Sequence, residues 1–301
     1  MKHRRDWEGV IVPKVIQLLE SYDYRPTVRQ IFYRLVAALL IPNTRSTYKY
    51  LDRVLVAARE KRTIDPLAFA DRKRESSQGD YGWENPTDFV EDQKAALARS
   101  WEDYTRPMWT SQQIVPFIWL EKDALFPAVC RVADQYRVKV FESTGYSSCT
   151  QIFEAIPELL PVNVIVLHLG DWDPSGEDIA RSEKVRLKKY GAGQIDFFPL
   201  ALTESQAIDF RLPTQMAKKS DPRFKAFVEK HGTDRVVELD ALPPPELEKI
   251  IATKIESYID PDIWNKELKR IENEKKKAKK LVEELVAKFK EEENGNSSPR
   301  G

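Results

Sequence analysis

Apolar residues recur along this chain with two different periods, and the change from one to the other divides it. Up to about residue 60 the spacing is helical. Trp7, Ile11, Val15, Leu18 and Leu19 form one stripe, which Tyr22 to Pro26 ends; Val28, Ile31, Phe32, Leu35 and Leu39 form a second, with Thr27 as its cap. Ile41-Pro-Asn-Thr44 breaks that helix, and Thr44 or Ser46 starts a third that buries Tyr48, Leu51, Val54 or Leu55, and Ala58. From residue 115 onward short unbroken apolar runs take over, at 116–120, 138–142, 164–169 and 195–200, with helical stretches at 124–136, 147–159 and 175–190 between them. Alternation of this kind predicts an α/β fold, a Rossmann-like parallel sheet with helices on both faces, preceded by an α-rich domain.

The rest is less regular. Residues 75–112 are acidic and hold one helix over 87–104, but Trp83, Phe89, Trp101 and Trp109 make the segment a connector that packs on its neighbours. Beyond Leu200, helices at 221–230 and 244–259 flank a short strand at 236–239. A Lys/Glu-rich helix over 264–289 carries Leu268, Ile271, Ala278, Leu281, Leu285 and Phe289 on one stripe, which needs a partner surface on the body of the protein or on a second subunit. Residues 294–301 read as disordered. The expected division is therefore 1–74, 75–112, 113–247 and a helical tail over 248–301.

Composition narrows the class. With 301 residues, 42% of them hydrophobic, the chain can build ordinary cores. Neither a bilayer-length apolar run nor a signal-peptide core occurs, so a cytoplasmic protein without membrane attachment is expected. Cys130 falls in a helix and Cys149 in a turn, which implies neither a disulfide framework nor a zinc site. The net charge of zero hides two unequal parts. Residues 1–74 hold 16 Lys/Arg against 8 Asp/Glu, an excess of positive charge that the remainder offsets. A basic front suits an anionic polymer, and helix, helix, tight turn, helix is the order of a helix-turn-helix. On that reading Arg45, Lys49 and Arg53 on the third helix meet double-stranded DNA and residues 63–74 form a wing. The alternative is a small helical bundle with a solvated basic face.

Candidate chemistry centres on the end of the run at 164–169, which breaks abruptly into Gly170-Asp-Trp-Asp-Pro-Ser-Gly176. Asp171 and Asp173 are two residues apart, so extended backbone sends both carboxylates to one side, and Glu121 directly follows the first strand of the same sheet. Three carboxylates can thus meet on one sheet edge, and oxygen-only ligands suit Mg²⁺ or Mn²⁺. An EF-hand loop fails, because its twelfth position is Ser182 where a bidentate Glu is required. An aspartyl-phosphate enzyme places its Asp after the first strand, where this chain has Glu121. A plain acidic turn, with Ser175 capping the next helix and Asp178 completing a capping box, explains those two residues but not the adjacent like charges. Glu238 and Asp240 form a second pair, read as surface or salt-bridge groups.

One strand ending in Trp-Leu-Glu121-Lys-Asp-Ala-Leu-Phe126 and another ending in Gly170-Asp-Trp-Asp-Pro-Ser-Gly176 together resemble the toprim domain. Within that superfamily the chain is most similar to the family of the topoisomerase VI A subunit and the related meiotic double-strand-break protein, especially its small standalone prokaryotic members. Thr27-Val-Arg-Gln-Ile-Phe-Tyr33 resembles the tyrosine motif of the winged-helix domain in that family. The resemblance implies a winged-helix domain followed by a toprim domain, with Glu121, Asp171 and Asp173 as an Mg²⁺ site. It further implies Tyr33 as the nucleophile that forms a phosphotyrosyl bond, Arg29 as a phosphate contact, and a nucleoid-associated homodimer in which the tyrosine of one protomer works with the metal of the other. Lys122 is placed to touch the same phosphate, or else to form a salt bridge. Strand passage needs an ATPase, which would be a separate subunit. Three activities follow as expectations: DNA cleavage by Tyr33 transesterification, a toprim nuclease that uses water, and a non-catalytic DNA-binding protein.

Overall fold

The computed structural model describes residues 6–70, 82–143, 147, 152, 155, 163–189 and 195–296, with side chains as far as residue 289. Cys149, residues 71–74 of the expected wing, most of the expected helix over 147–159, and residues 297–301 lie outside the described residues. Two compact units result, one formed by Met1–Arg74 with Gln113–Tyr258, the other by Glu75–Gln112 with Ile259–Gly301.

The first unit begins with a π-helical turn, Trp7–Ile11, that runs into helix α1, Val12–Glu20; the Asp6 carboxylate accepts the Gly9 N–H at its start. Helix α2, Val28–Ala37, starts at a full capping box: the Thr27 hydroxyl accepts the Gln30 N–H, and the Gln30 side chain accepts the Thr27 N–H. Helix α3, Arg45–Glu60, is capped by Thr44. Leu51 and Leu55 of α3 are fully buried, as are Ile31 and Leu35 of α2, and each such side chain contributes about 1.5–3 kcal/mol. Tyr48 and Val54 are only half-buried. Leu39, expected on the apolar stripe of the second helix, lies past its end at φ 58° and is 92% exposed. Residues 63–70 of the expected wing form turns, not strands, anchored by buried Ile64 and Phe69.

The sheet holds four parallel strands, β1 Val115–Leu120, β2 Lys139–Glu142, β3 Val164–Leu169 and β4 Ile195–Ala201, in the order β2-β1-β3-β4. The inner strands β1 and β3 are buried almost throughout, which explains their unbroken apolar runs. One face packs Phe117, Trp119, Val164, Val166 and Ile195 against Ile152, Ala155 and Leu187, the last on helix α6, Pro174–Lys189. Helix α5, Phe126–Tyr136, packs on β2 and against α9, Pro244–Glu256, which also reaches β4. The chain leaves β1 toward β2 and leaves β3 in the opposite direction toward β4, so the switch point of the sheet falls between β1 and β3. In open parallel sheets the crevice for a ligand opens at that point, beyond the carboxyl ends of the strands.

Between β4 and α9 the chain forms α7, Glu204–Asp209, and α8, Phe224–His231. Between and after them, Gln215–Met216 (β5) and Arg235–Val236 (β6) pair antiparallel. The expected strand over 236–239 thus shrinks to two residues, followed by a backbone bridge between Val237 and Trp172 and a 3₁₀ turn, Leu239–Ala241.

In the second unit the segment expected to be a connector pairs with the C-terminal helix. Helix α4, Pro86–Arg99, continues into a 3₁₀ turn, Ser100–Asp103, and α10 runs unbroken over Pro261–Asn296. Asp260 caps α10 by accepting the N–H groups of Asp262 and Ile263, with Pro261 as its first helical residue. Trp109 meets Trp264 edge-on, Arg106 pairs with Glu274 at 3.1 Å, and Lys275 donates to the Glu102 carbonyl at 2.6 Å. Residues 294–296, expected to be disordered, are helical.

Candidate active site

Glu121 and Lys122 follow β1, Asp171 follows β3, and the switch point makes those ends neighbours: the Glu121 N–H donates to the Leu169 carbonyl at 2.9 Å. Two glycines permit the crowding. A Cβ at Gly170 would stand 2.6 Å from both Glu121 Oε2 and His168 Cε1, and one at Gly176 would stand 2.2 Å from the Asp171 carbonyl oxygen.

The three expected metal ligands share this edge in different states. Asp171 Oδ1 accepts the Leu239 N–H at 2.8 Å, and Oδ2 holds the Lys122 ammonium at 2.7 Å. Asp173 Oδ1 accepts the Gly176 N–H at 2.7 Å, so Asp173, not Ser175, caps α6; Asp178 pairs with Arg181. Glu121 Oε2 is buried with no hydrogen-bond partner. Among the described residues no three carboxylate or imidazole groups converge as a ready-made metal cage. The positive charge between the acids is supplied by Lys122.

Glu238 and Asp240 complete the cluster, and this corrects their reading as surface groups. The Val237–Trp172 bridge and the Leu239–Asp171 hydrogen bond carry them onto the sheet edge, where Asp240 is 5% exposed. Lys122 Nζ lies 3.9 Å from Glu238 and 4.0 Å from Asp240. Arg29, on α2, pairs with Glu238 and reaches Asp240 at 3.9 Å. The salt-bridge half of the expectation therefore stands. An acidic pair following a two-residue strand gives too weak a periodic signal to reveal its neighbours.

Charge and burial shape how these groups titrate. Burial, then the Asp171 charge, pushes the Glu121 carboxyl up to about 7. Burial likewise pushes Asp240 up to about 6, against the pull of Lys122. For Lys122 burial opposes the charged form, but Asp171, Asp240 and Glu238 outweigh it and hold the ammonium above its usual range.

Tyr33 is one turn beyond Arg29 on α2. Its ring is 3% exposed and meets Phe32 edge-on, while its hydroxyl accepts a hydrogen bond from Gln215 Nε2 at 2.7 Å. Burial and the Glu238 charge hold the phenol above its usual range. The hydroxyl region opens on a cleft of about 430 Å³ lined by Arg29, Tyr33, Arg45, Gln215, Lys218 and Glu238, among others. Arg45, Lys49 and Arg53 are exposed at successive turns of α3, and only Arg45 lines the cleft.

A larger cavity of about 660 Å³ lies beyond β3 and β4. Its rim mixes both signs: Arg181 pairs with Asp178, Lys230 with Glu177, and His231 sits between Glu177 and Glu204. The smaller cleft differs in joining a phenol hydroxyl to Arg29, Arg45 and Lys218 in one lining. No family model matches this chain, and no curated protein does.

Proposed function

We propose that the protein cleaves DNA in a metal-dependent reaction, with Tyr33 attacking a backbone phosphate. One observation carries the reading: a phenol hydroxyl on a cleft with Arg29, Arg45 and Lys218 is joined, through Glu238 and Lys122, to the carboxylates at the switch point of a parallel sheet. A cleft lined by a hydroxyl and three cationic side chains suits a phosphodiester, since phosphate contacts fix the register of a nucleic acid. The resemblance to toprim and winged-helix proteins of the topoisomerase VI A kind points the same way, as do the parallel sheet and the basic helices.

Each residue has a task in this reading. Arg29 and Arg45 hold the phosphate in the cleft, and Lys49 and Arg53 extend the contact along α3. Tyr33 Oη forms the new bond to phosphorus as the bond to the 3′ oxygen breaks. Glu238, which faces both Tyr33 and Arg29, accepts the phenol proton, a role its place in the network supports. The orphaned Glu121 Oε2 and an all-oxygen donor set suit Mg²⁺ or Mn²⁺, which Glu121, Asp171 and Asp173 would hold and which supplies neutralising charge for the scissile phosphate. Lys122 keeps those acids paired otherwise. Cutting both strands requires two copies of the chain, and ATP-driven strand passage requires a separate ATPase subunit.

The near-complete burial of the Tyr33 ring favours a second reading, a nuclease in which water attacks and Tyr33 only shapes the cleft. One assay separates the two. Supercoiled plasmid is incubated with protein and Mg²⁺ or Mn²⁺, then denatured and scored for nicks and for DNA bound covalently to protein. The proposal predicts cleavage with an adduct that Tyr33→Phe abolishes. Cleavage that survives Tyr33→Phe without an adduct establishes the second reading, and no cleavage with either metal leaves a DNA-binding protein.

A further inference from the structure

The reaction proposed above gives no task to the cavity of about 660 Å³ beyond β3 and β4, and no residue lines both that cavity and the cleft at Tyr33. Its volume is that of a pocket for one small molecule. Trp172, Phe197, Phe227 and Pro199 give it aromatic and apolar walls, and α6 borders it through Ala180, Arg181 and Lys184.

Two groups of this lining stand without partners, and together they describe a ligand. Trp172 is 6% exposed, yet its indole N–H is buried with no hydrogen-bond partner. A buried indole N–H ordinarily finds an acceptor. Its ring neighbours supply none: Phe227 carries no acceptor, and both ring nitrogens of His231 face carboxylates, Glu177 at 2.7 Å and Glu204 at 3.2 Å. Lys184 is the second group. The acids around the cavity are already engaged, Asp171 with Lys122, Asp178 with Arg181 and Glu177 with Lys230, whereas exposed Lys184 has no acid partner among the described residues. A matching ligand is planar and aromatic, carries an acceptor on its ring edge and ends in an anion. Every nucleobase offers such a face and edge, and lysine is a common partner of phosphate. We propose that this cavity binds a nucleoside monophosphate, with the base between the aromatic walls, an acceptor of its edge on the Trp172 N–H, and the phosphate at Lys184.

The full chain is titrated by calorimetry with AMP, GMP, CMP and UMP, with the matching nucleosides and with inorganic phosphate. At least one nucleotide should bind, more tightly than its nucleoside or phosphate alone. Lys184→Gln, at an exposed position that leaves the fold intact, should weaken that nucleotide about tenfold and leave the nucleoside unchanged. Trp172→Phe, which keeps an aromatic ring and removes the N–H, should weaken nucleotide and nucleoside alike by about five- to tenfold. Displacement of the nucleotide by a short oligonucleotide with a terminal phosphate identifies strand ends as a source of the same group, and failure to displace it restricts the site to free nucleotides. No binding of any of the four nucleotides at millimolar concentration overturns the proposal. So does phosphate that binds as tightly as the nucleotide, or a folded variant of either residue that binds the nucleotide as the parent does.

Discussion

Glu121 is the residue on which burial and charge conflict most openly. Its carboxyl titrates near 7 against an ordinary 4.5, because burial and Asp171 both disfavour the ionised form. The native state therefore keeps a proton that the unfolded chain has released, and stability falls as pH rises through that window. Asp240, pushed up to about 6, acts in the same direction; His168, which burial holds down near 4, acts the opposite way. Comparing one variant with the parent isolates the first effect. Glu121→Gln should remove its part of the decline and be about 1–3 kcal/mol more stable than the parent above neutral pH, measured by denaturant unfolding without divalent ions. An unchanged pH dependence would mean that Glu121 is solvated. Lys122 poses the complementary case: Lys122→Met leaves Asp171 without its cation and Asp240 with Arg29 alone, and should cost about 2–4 kcal/mol. Added Mg²⁺ should recover part of that loss, read as a rise in Tm larger than that of the parent. At the reacting centre, Glu238→Gln should slow adduct formation by about 10²-fold or more if it takes the phenol proton. A smaller effect would make it only an anchor for Arg29.

Among the elements, α2 and the turn from β3 into α6 hold the site together. The Thr27–Gln30 capping box fixes the start of α2, one turn before Tyr33, so Thr27→Ala should lower stability by about 1 kcal/mol in thermal melts. Much of this level was legible from residue types. The apolar runs located all four strands, most firmly the inner β1 and β3, which are buried almost throughout, and their alternation with helices placed Glu121 and Asp171 on the same edge. The capping residues Thr27 and Thr44 were legible as well. Glu238 and Asp240 were not. Their position depends on a single backbone bridge, Val237 to Trp172, and on a two-residue strand, neither of which leaves a period in the sequence. Leu39 fits a helical stripe by spacing, but the helix stops before it and the chain turns into the left-handed region. Asp173 was read as a ligand and also serves as a helix cap, since an acid just before a helix satisfies the orphan N–H groups at its start, the role expected of Ser175 two positions on.

At the scale of the molecule, contacts far apart in sequence decide the organisation. Residues 75–112, read as a connector that packs on its neighbours, form a unit with the C-terminal helix, because Trp109, Arg106 and Glu102 find their partners on α10. The basic N-terminal helices instead belong to the same unit as the sheet, which allows Arg29 to reach Glu238 and Tyr33 to reach Gln215. This closure within one unit is the basis for reading Tyr33 and the acidic edge as a single site. Divalent ions should accordingly raise the Tm of the parent chain and leave Asp171→Asn/Asp173→Asn unmoved. The central claim, that Tyr33 itself attacks DNA, is tested most directly by chemistry at that residue. Protein incubated with DNA and Mn²⁺ is digested with nuclease and trypsin and examined by mass spectrometry. The account predicts a nucleotide linked through phosphate to Tyr33 in the peptide of residues 30–34; cut DNA with that peptide unmodified would contradict it.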